Sequence, residues 1–339
     1  MSEFALVGVF ATPLEACEAA GIQYQEKRVG LGFIYLNLKK GGKGDGRLKR
    51  FPDARGGVVF NQREKLMAVW FDDFKDGKEL TVEQKRKLRE EAEAARQQAQ
   101  AEERAKHERG ARYAAEFYRN STPVKIAYYL NKKHVKPVNT LRTIDPRTAY
   151  ELLKRYYSEA FGYVPVGFQS KGGGFLCLDW PLLLVPMRGD ISHIQTIQLI
   201  DDKGAKAFLC GGKKKGAYWQ SERLPEFDPD TDMTIGIGEG VATVLSVKQV
   251  KGFPVVAAMD CGNLKPVALD IRARFPKAKI IILSDIGNGE KEAFTAAQAV
   301  GGVLAIPKFT DALRERFKSI TGKETPTDFN DYYLARGDI

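Results

Sequence analysis

Acidic residues in the last third of the chain are placed where several carboxylates could act on one ligand. Glu239, Asp260 and Asp285 each follow a short apolar run, and a later cluster reads Thr327-Asp328-Phe329-Asn330-Asp331. Carboxylates that converge suit Mg2+, a hard cation that takes oxygen ligands and keeps several waters. The cation would also hold together like charges that otherwise repel. Taken singly, each acid has a plainer reading. A carboxylate after a strand is commonly a helix N-cap, as Asp260 or Asp285 alone would be, and Asp328 alone could serve a turn. Their placement at successive strand ends favours a shared site.

Basic residues precede this region. Lys206 and the run Gly211-Gly212-Lys213-Lys214-Lys215-Gly216 stand just ahead of it, and on a chain of this charge contact with a polyanion is one reading. An exposed hairpin tip is the alternative for the three lysines. Asn263 could line the site or hold a turn. Near the start, residues 39–50 are rich in Gly, Lys and Arg and are expected to be loop. Arg47, Lys49 and Arg50 there could track a phosphate backbone or be solvated.

The elements that must position these groups follow from periodicity. From Met233 onward, strands at 234–237, 255–259, 279–283 and 303–306 alternate with helices at 241–250, 266–275 and 290–300. That alternation predicts a mostly parallel sheet flanked by helices. Ligands of such sheets bind beyond the carboxyl ends of the strands, where Glu239, Asp260 to Asn263 and Asp285 fall. Residues 123–223 read as mixed: a short helix and turn at 127–136, an amphipathic helix at 147–159, strands at 175–178, 182–187 and 194–200, and a hairpin turn at Gly189-Asp190. Residues 79–119 are Glu, Lys, Arg, Gln and Ala with few large apolar side chains. They predict a long polar helix opened by a Thr81-x-x-Gln84 capping box, supported by pairs such as Glu83 and Lys87, and docked by Tyr113, Phe117 and Tyr118. Residues 1–73 read as short strands and turns, with strands at 33–36, 58–60 and 67–71.

Composition narrows the classes. The chain has 339 residues, with 53 Lys and Arg against 43 Asp and Glu, a formal charge of +10 that favours a polyanionic partner. Cys17, Cys177, Cys210 and Cys261 form no close pair and there are only three histidines, so neither zinc nor a disulfide framework is expected. No apolar run approaches the ~20 residues of a membrane span. Residues 1–21 lack the pattern of a secretory signal, and a cytoplasmic location is expected. No G-x-x-x-x-G-K-[ST] loop is present, so a helicase would have to be a separate chain.

The motifs resemble a known family. Gly238-Glu239-Gly240 after an apolar strand, Cys261-Gly262-Asn263-Leu264, Ser284-Asp285 and Asp328-Phe329-Asn330-Asp331 resemble the Toprim domain of phage- and plasmid-type primases. The segments 206–209 and 211–213 are similar to the basic stretch that precedes Toprim in these primases, and 183–187 with 195–200 to their preceding hairpin. Residues 45–51 resemble the N-terminal motif of replication proteins of mobile elements and satellite phages. One departure stands out: the family carries Asp-x-Asp after the third strand, and Asp285-Ile286-Gly287 lacks the second acid. Glu290 or Asp331 could substitute, water could fill the place, or catalysis could be weakened.

The resemblance implies an α/β fold: a C-terminal, Rossmann-like Toprim domain at 231–339, preceded by a β-rich basic region at 1–78, a helical spacer at 79–120 and a mixed α+β subdomain at 121–230. It implies a DNA primase making short RNA primers on single-stranded DNA from ribonucleoside triphosphates, for a plasmid, phage or integrative element. Glu239, Asp285 and Asp328 would be catalytic, and these with Asp331 would hold Mg2+ or Mn2+. Lys206, Lys213, Lys214, Lys215, Asn263, Arg47, Lys49 and Arg50 would contact nucleotide or template. The alternatives are a metal-dependent Toprim nuclease and a weakened single-strand-binding accessory protein.

Overall fold

The computed structural model describes residues 4–25, 34–41, 44–51, 55–72, 82–170, 173–189, 193–287 and 289–339, the side chains of 82–96 and 99 apart. Two compact units, 1–104 and 105–339, divide the chain. The expected turn residue Asp190 and the Thr81 capping box lie outside the described residues, as do the Glu83 and Lys87 side chains.

The first unit holds strands β1 (Ala5–Phe10), β2 (Ile34–Leu36), β3 (Gly46–Arg50), β4 (Gly56–Asn61) and β5 (Leu66–Phe71), with helix α1 (Pro13–Ala19). They form one sheet in the order β1-β5-β4-β3-β2, antiparallel except for the parallel β1–β5 pair. Thr12 caps α1: its hydroxyl accepts from Glu15 N–H while the Glu15 carboxylate accepts from Thr12 N–H. Ala16, Cys17, Leu48, Val59 and Trp70 make its core. The expected loop at 39–50 is therefore partly strand. Leu48 points inward at 2% exposure between outward Arg47 and Lys49, an alternation that the charges conceal.

Helix α2 (Val82–Arg119) is followed by β6 (Thr122–Pro123), α3 (Tyr128–Lys132), β7 (Arg142–Ile144), α4 (Pro146–Phe161), β8 (Leu182–Arg188), β9 (Ile194–Ile200) and β10 (Lys206–Phe208). The strands form an antiparallel sheet in the order β10-β9-β8-β7-β6. Every residue of β9 is buried, and β8 is buried as far as Met187. Both faces are covered, so these strands are apolar runs rather than alternations. Leu182 and Leu184 face Phe117, Leu153 and Tyr156, while Leu183, Val185 and Met187 face a second core. Ion pairs Arg112–Glu159 and Arg155–Glu116 tie α2 to α4. The strand expected at 175–178 does not form. Phe175 makes a single bridge to Gln169 and stays 55% exposed.

The third sheet contains β11 (Trp219–Gln220), β12 (Thr234–Gly238), β13 (Val255–Ala257), β14 (Lys279–Leu283) and β15 (Val303–Ala305), in the order β11-β13-β12-β14-β15. All but β11 run parallel. Helices α5 (Val241–Lys251), α6 (Leu264–Arg274), α7 (Glu290–Ala299), α8 (Asp311–Thr321) and α9 (Phe329–Arg336) complete it. Along β12, Ile235 and Ile237 pack with α6 and α7, in a core distinct from the one that α5 and α9 share with β8. The intervening glycines let α5 approach closely: a Cβ on Gly238 would stand 2.8 Å from Val244 Cγ1. The fold is thus mixed α/β, with a mostly parallel C-terminal sheet. Among the described residues, no helix is long and apolar enough to cross a membrane.

Candidate active site at the acidic sheet edge

Register alone brings two acids to one edge. Gly238 lies abreast of Ala257 and Leu283, so Glu239 leaves β12 where Ser284 and Asp285 leave β14. Met259 N–H donates to Glu239 O at 2.8 Å, and Ser284 N–H to Ala305 O at 2.9 Å, extending both strand ends. The later cluster is drawn in by backbone: Ile286 N–H donates to Thr327 O at 2.8 Å.

Asp285 is the unusual member. Its Oδ1 is buried and has no hydrogen-bond partner. Its carboxyl is pushed up to about 7, first by burial and then by Asp328, Glu239 and Asp331, with Lys206 opposing the shift. The four expected acids therefore share one electrostatic neighbourhood. Asp328 and Asp331, however, also perform the N-cap work that the plainer reading assigned to such residues. Asp328 Oδ1 accepts from Asp331 N–H at 2.9 Å, and Asp328 Oδ2 from the Thr243 hydroxyl at 3.2 Å. Asp331 Oδ2 accepts from Thr327 N–H at 2.9 Å, and burial followed by Asp328 raises its carboxyl as well. Asp260 caps the turn at Cys261–Asn263 through Gly262 N–H.

Among the described residues, no three His, Cys, Asp or Glu side chains group as a cage for a metal ion. The donors still fit Mg2+ or Mn2+, since Asp285 offers an unpartnered oxygen amid other carboxylates. Magnesium characteristically uses one or two carboxylates with water and substrate phosphates rather than an all-protein cage. The missing second acid has a backbone reason. Gly287 sits at φ +89°, in the left-handed region, and its N–H donates to Glu290 Oε1 at 2.6 Å. Glu290 therefore serves the turn. Of the two expected substitutes, Asp331 is the one whose charge acts on Asp285.

The basic residues divide. Lys206 acts on Asp285 and lies 5.6 Å from the Tyr129 ring centre; Lys214 stands 4.8 Å from that of Phe208. Lys213, Lys214 and Lys215 are all exposed. Asn263, by contrast, is 7% exposed and spends its amide on protein. Its Nδ2 donates to Ala217 O, Ala258 O and Lys214 O, and its Oδ1 accepts from Gly216 N–H at 2.8 Å. That geometry makes it a positioning residue for the lysine loop rather than a ligand group. The close approaches at Gly211 and Gly212 are also to protein. A Cβ on Gly212 would stand 2.1 Å from Thr196 Oγ1, and one on Gly211 2.8 Å from the Tyr156 oxygen. Arg47, Lys49 and Arg50 belong to β3 of the first unit, where Arg50 pairs with Asp72 at 3.1 Å and Arg47 lies 5.6 Å from the Tyr35 ring centre.

Sequence reasoning missed Thr243 and Tyr129 and gave Cys261 no role of its own beside the acids. Burial pushes Tyr129 up to about 12. The Cys261 thiol is raised by burial and then by Glu239 and Asp260, which keeps it protonated beside the acids. A threonine in the first turn of a helix after Gly-Glu-Gly was the available signal for Thr243.

Residues 234–338 match the family described as the Toprim domain, and the C-terminal third of the chain is a Toprim domain. The chain is similar to two proteins named DNA primase TraC from Escherichia coli. One is 31% identical over 156 residues, 43% of this chain and 11% of that protein; the other is 32% identical over 124 residues, 34% of this chain and 12% of that protein. The chain thus spans about a tenth of the length of the relatives it matches. Among solved structures it is similar to the primase fragment of the bacteriophage T7 primase-helicase protein, at 18% identity over 47% of this chain and 59% of that one, with a TM-score of 0.34.

Proposed function

We propose that the chain is a DNA primase of a mobile element, synthesising short RNA primers on single-stranded DNA without zinc. The observation that carries this reading is Asp285: a buried carboxyl with an unpartnered oxygen, among other acids, at the strand edge of a Toprim domain and within reach of Lys206. Glu239 and Asp285, with Asp328 and Asp331 behind them, would hold Mg2+ or Mn2+. Such a cation supplies charge stabilisation at the triphosphate and assists loss of the primer hydroxyl proton. Lys206 and Lys213 to Lys215 bind the phosphates of nucleotide and template, and Asn263 holds the loop that presents the last three. Asp285 and Glu239 stay close because the parallel register fixes their strand ends. The substrates are ribonucleoside triphosphates, the setting is the cytoplasm, and strand opening falls to a separate helicase.

The test is ribonucleotide incorporation on single-stranded templates with Mg2+ or Mn2+, in the wild type and in Glu239→Gln. The reading predicts metal-dependent products that the variant does not make while it unfolds at the wild-type temperature. Cleavage of DNA without extension would assign the site to a nuclease, and salt-sensitive binding without synthesis to an accessory protein.

A further inference from the structure

The end of β8, β11 and the segment after it enclose a cavity of about 790 Å3, within the roughly 300–1,000 Å3 range of small-molecule sites. None of the acids of the sheet edge lines it. Arg188, Arg223 and Arg274 face it, against one carboxylate, Glu226. Arg274 is committed to the wall, paired with Asp270 at 3.6 Å and donating to the Tyr218 hydroxyl, Pro225 O and Glu226 O, so Arg188 and Arg223 carry the positive charge of the cavity. Arg188 lies 5.8 Å from the Tyr118 ring centre, and Arg223 is exposed. The same cavity is lined by Gln220, whose Oε1 is buried with no hydrogen-bond partner.

Those features specify what would fit. Guanidinium groups favour an oxyanion, and the planar fork can engage two oxygens of a phosphate at once. The unpartnered carboxamide oxygen asks for an N–H or O–H donor, because a buried acceptor left unmade is costly. A bare phosphate held at the arginines fills little of a cavity of about 790 Å3. A nucleoside phosphate answers both demands, with its phosphate at the arginines and a base or sugar donor at Gln220. We infer that this cavity is a second nucleoside-phosphate site, distinct from the acidic edge. It would take a free nucleotide or a nucleotide within a single strand. Chain connectivity joins the two places, since Gln220 follows within a few residues the Gly216–Ala217 segment held by Asn263. Such a site stands whether or not the acidic edge makes primers.

The experiment uses the full chain in EDTA, which suppresses metal-dependent binding at the acids. Fluorescently labelled ATP and a labelled single-stranded oligonucleotide are titrated with wild type, Arg223→Glu, Gln220→Leu and Asp285→Asn, each checked to unfold cooperatively at no lower a temperature than wild type. Loss of one charge-assisted contact should weaken binding about tenfold or more in Arg223→Glu. Gln220→Leu should weaken it too, without lowering the unfolding temperature, and Asp285→Asn should bind as wild type does. Weakening for ATP identifies the free nucleotide as ligand, and weakening for the oligonucleotide identifies the strand. Wild-type binding of both probes by Arg223→Glu overturns the inference, as does loss of the same binding in Asp285→Asn.

Discussion

At the start of α9, both acidic side chains hold the helix. Asp328 accepts from the backbone of Asp331 and from Thr243, and Asp331 accepts from the backbone of Thr327. At the end of β14, Asp285 is pressed into the same neighbourhood with an oxygen that nothing satisfies and a carboxyl raised to about 7. The start of α9 would be acidic in a protein with no activity at all, because an N-cap needs an acceptor. The end of β14 gains nothing for folding from its acid. A carboxylate kept where it opposes stability is a marker of function, whereas proximity to other acids alone is not.

The largest expected effect separates these regions by activity. Asp285→Asn should cut primer synthesis by about 10²-fold or more, the scale of losing a group that positions transition-state charge stabilisation. Next comes the loop anchor. Asn263→Ala leaves Ala217 O, Ala258 O and Gly216 N–H without their partner, so urea unfolding should show a loss of about 3 kcal/mol. Asp328→Ala should cost about 1–2 kcal/mol, and Asp328→Asn much less, because asparagine caps nearly as well. If Asp328→Asn keeps stability but abolishes synthesis, Asp328 serves both purposes and the contrast narrows.

The smallest effect is on pH. Asp285 has a folded-state value near 7 against an ordinary 3.8, so between these the native state holds a proton that the unfolded chain has released. Its contribution to stability is present below about pH 4 and lost as pH rises through 7. In metal-free protein, Asp285→Asn should therefore unfold at a higher temperature than wild type at pH 8, with the gap closing toward pH 4. A gap that widens on acidification would contradict the assignment.

Much of this arrangement was legible before any coordinates. The apolar run 279–283 is β14 residue for residue, and α7 is the helix expected at 290–300 less its last residue, because short buried strands alternating with helices leave an unambiguous pattern. Helix α9 was not read. Its first residues looked like ligands, and one carboxylate can be cap or ligand with the same sequence. Strand β3 hid behind its charges, with Leu48 as its inward marker. Asn263 could be named as relevant but not assigned, since its four partners come from segments more than forty residues upstream and from the adjoining strand end, contacts that no spacing rule reports.

The most direct test is a Mn2+ titration followed by electron paramagnetic resonance, comparing wild type, Asp285→Asn and Asp331→Asn at neutral pH. The account predicts that wild type binds Mn2+, that Asp285→Asn loses this binding while remaining folded, and that Asp331→Asn weakens it less. Binding by Asp285→Asn indistinguishable from wild type would contradict it.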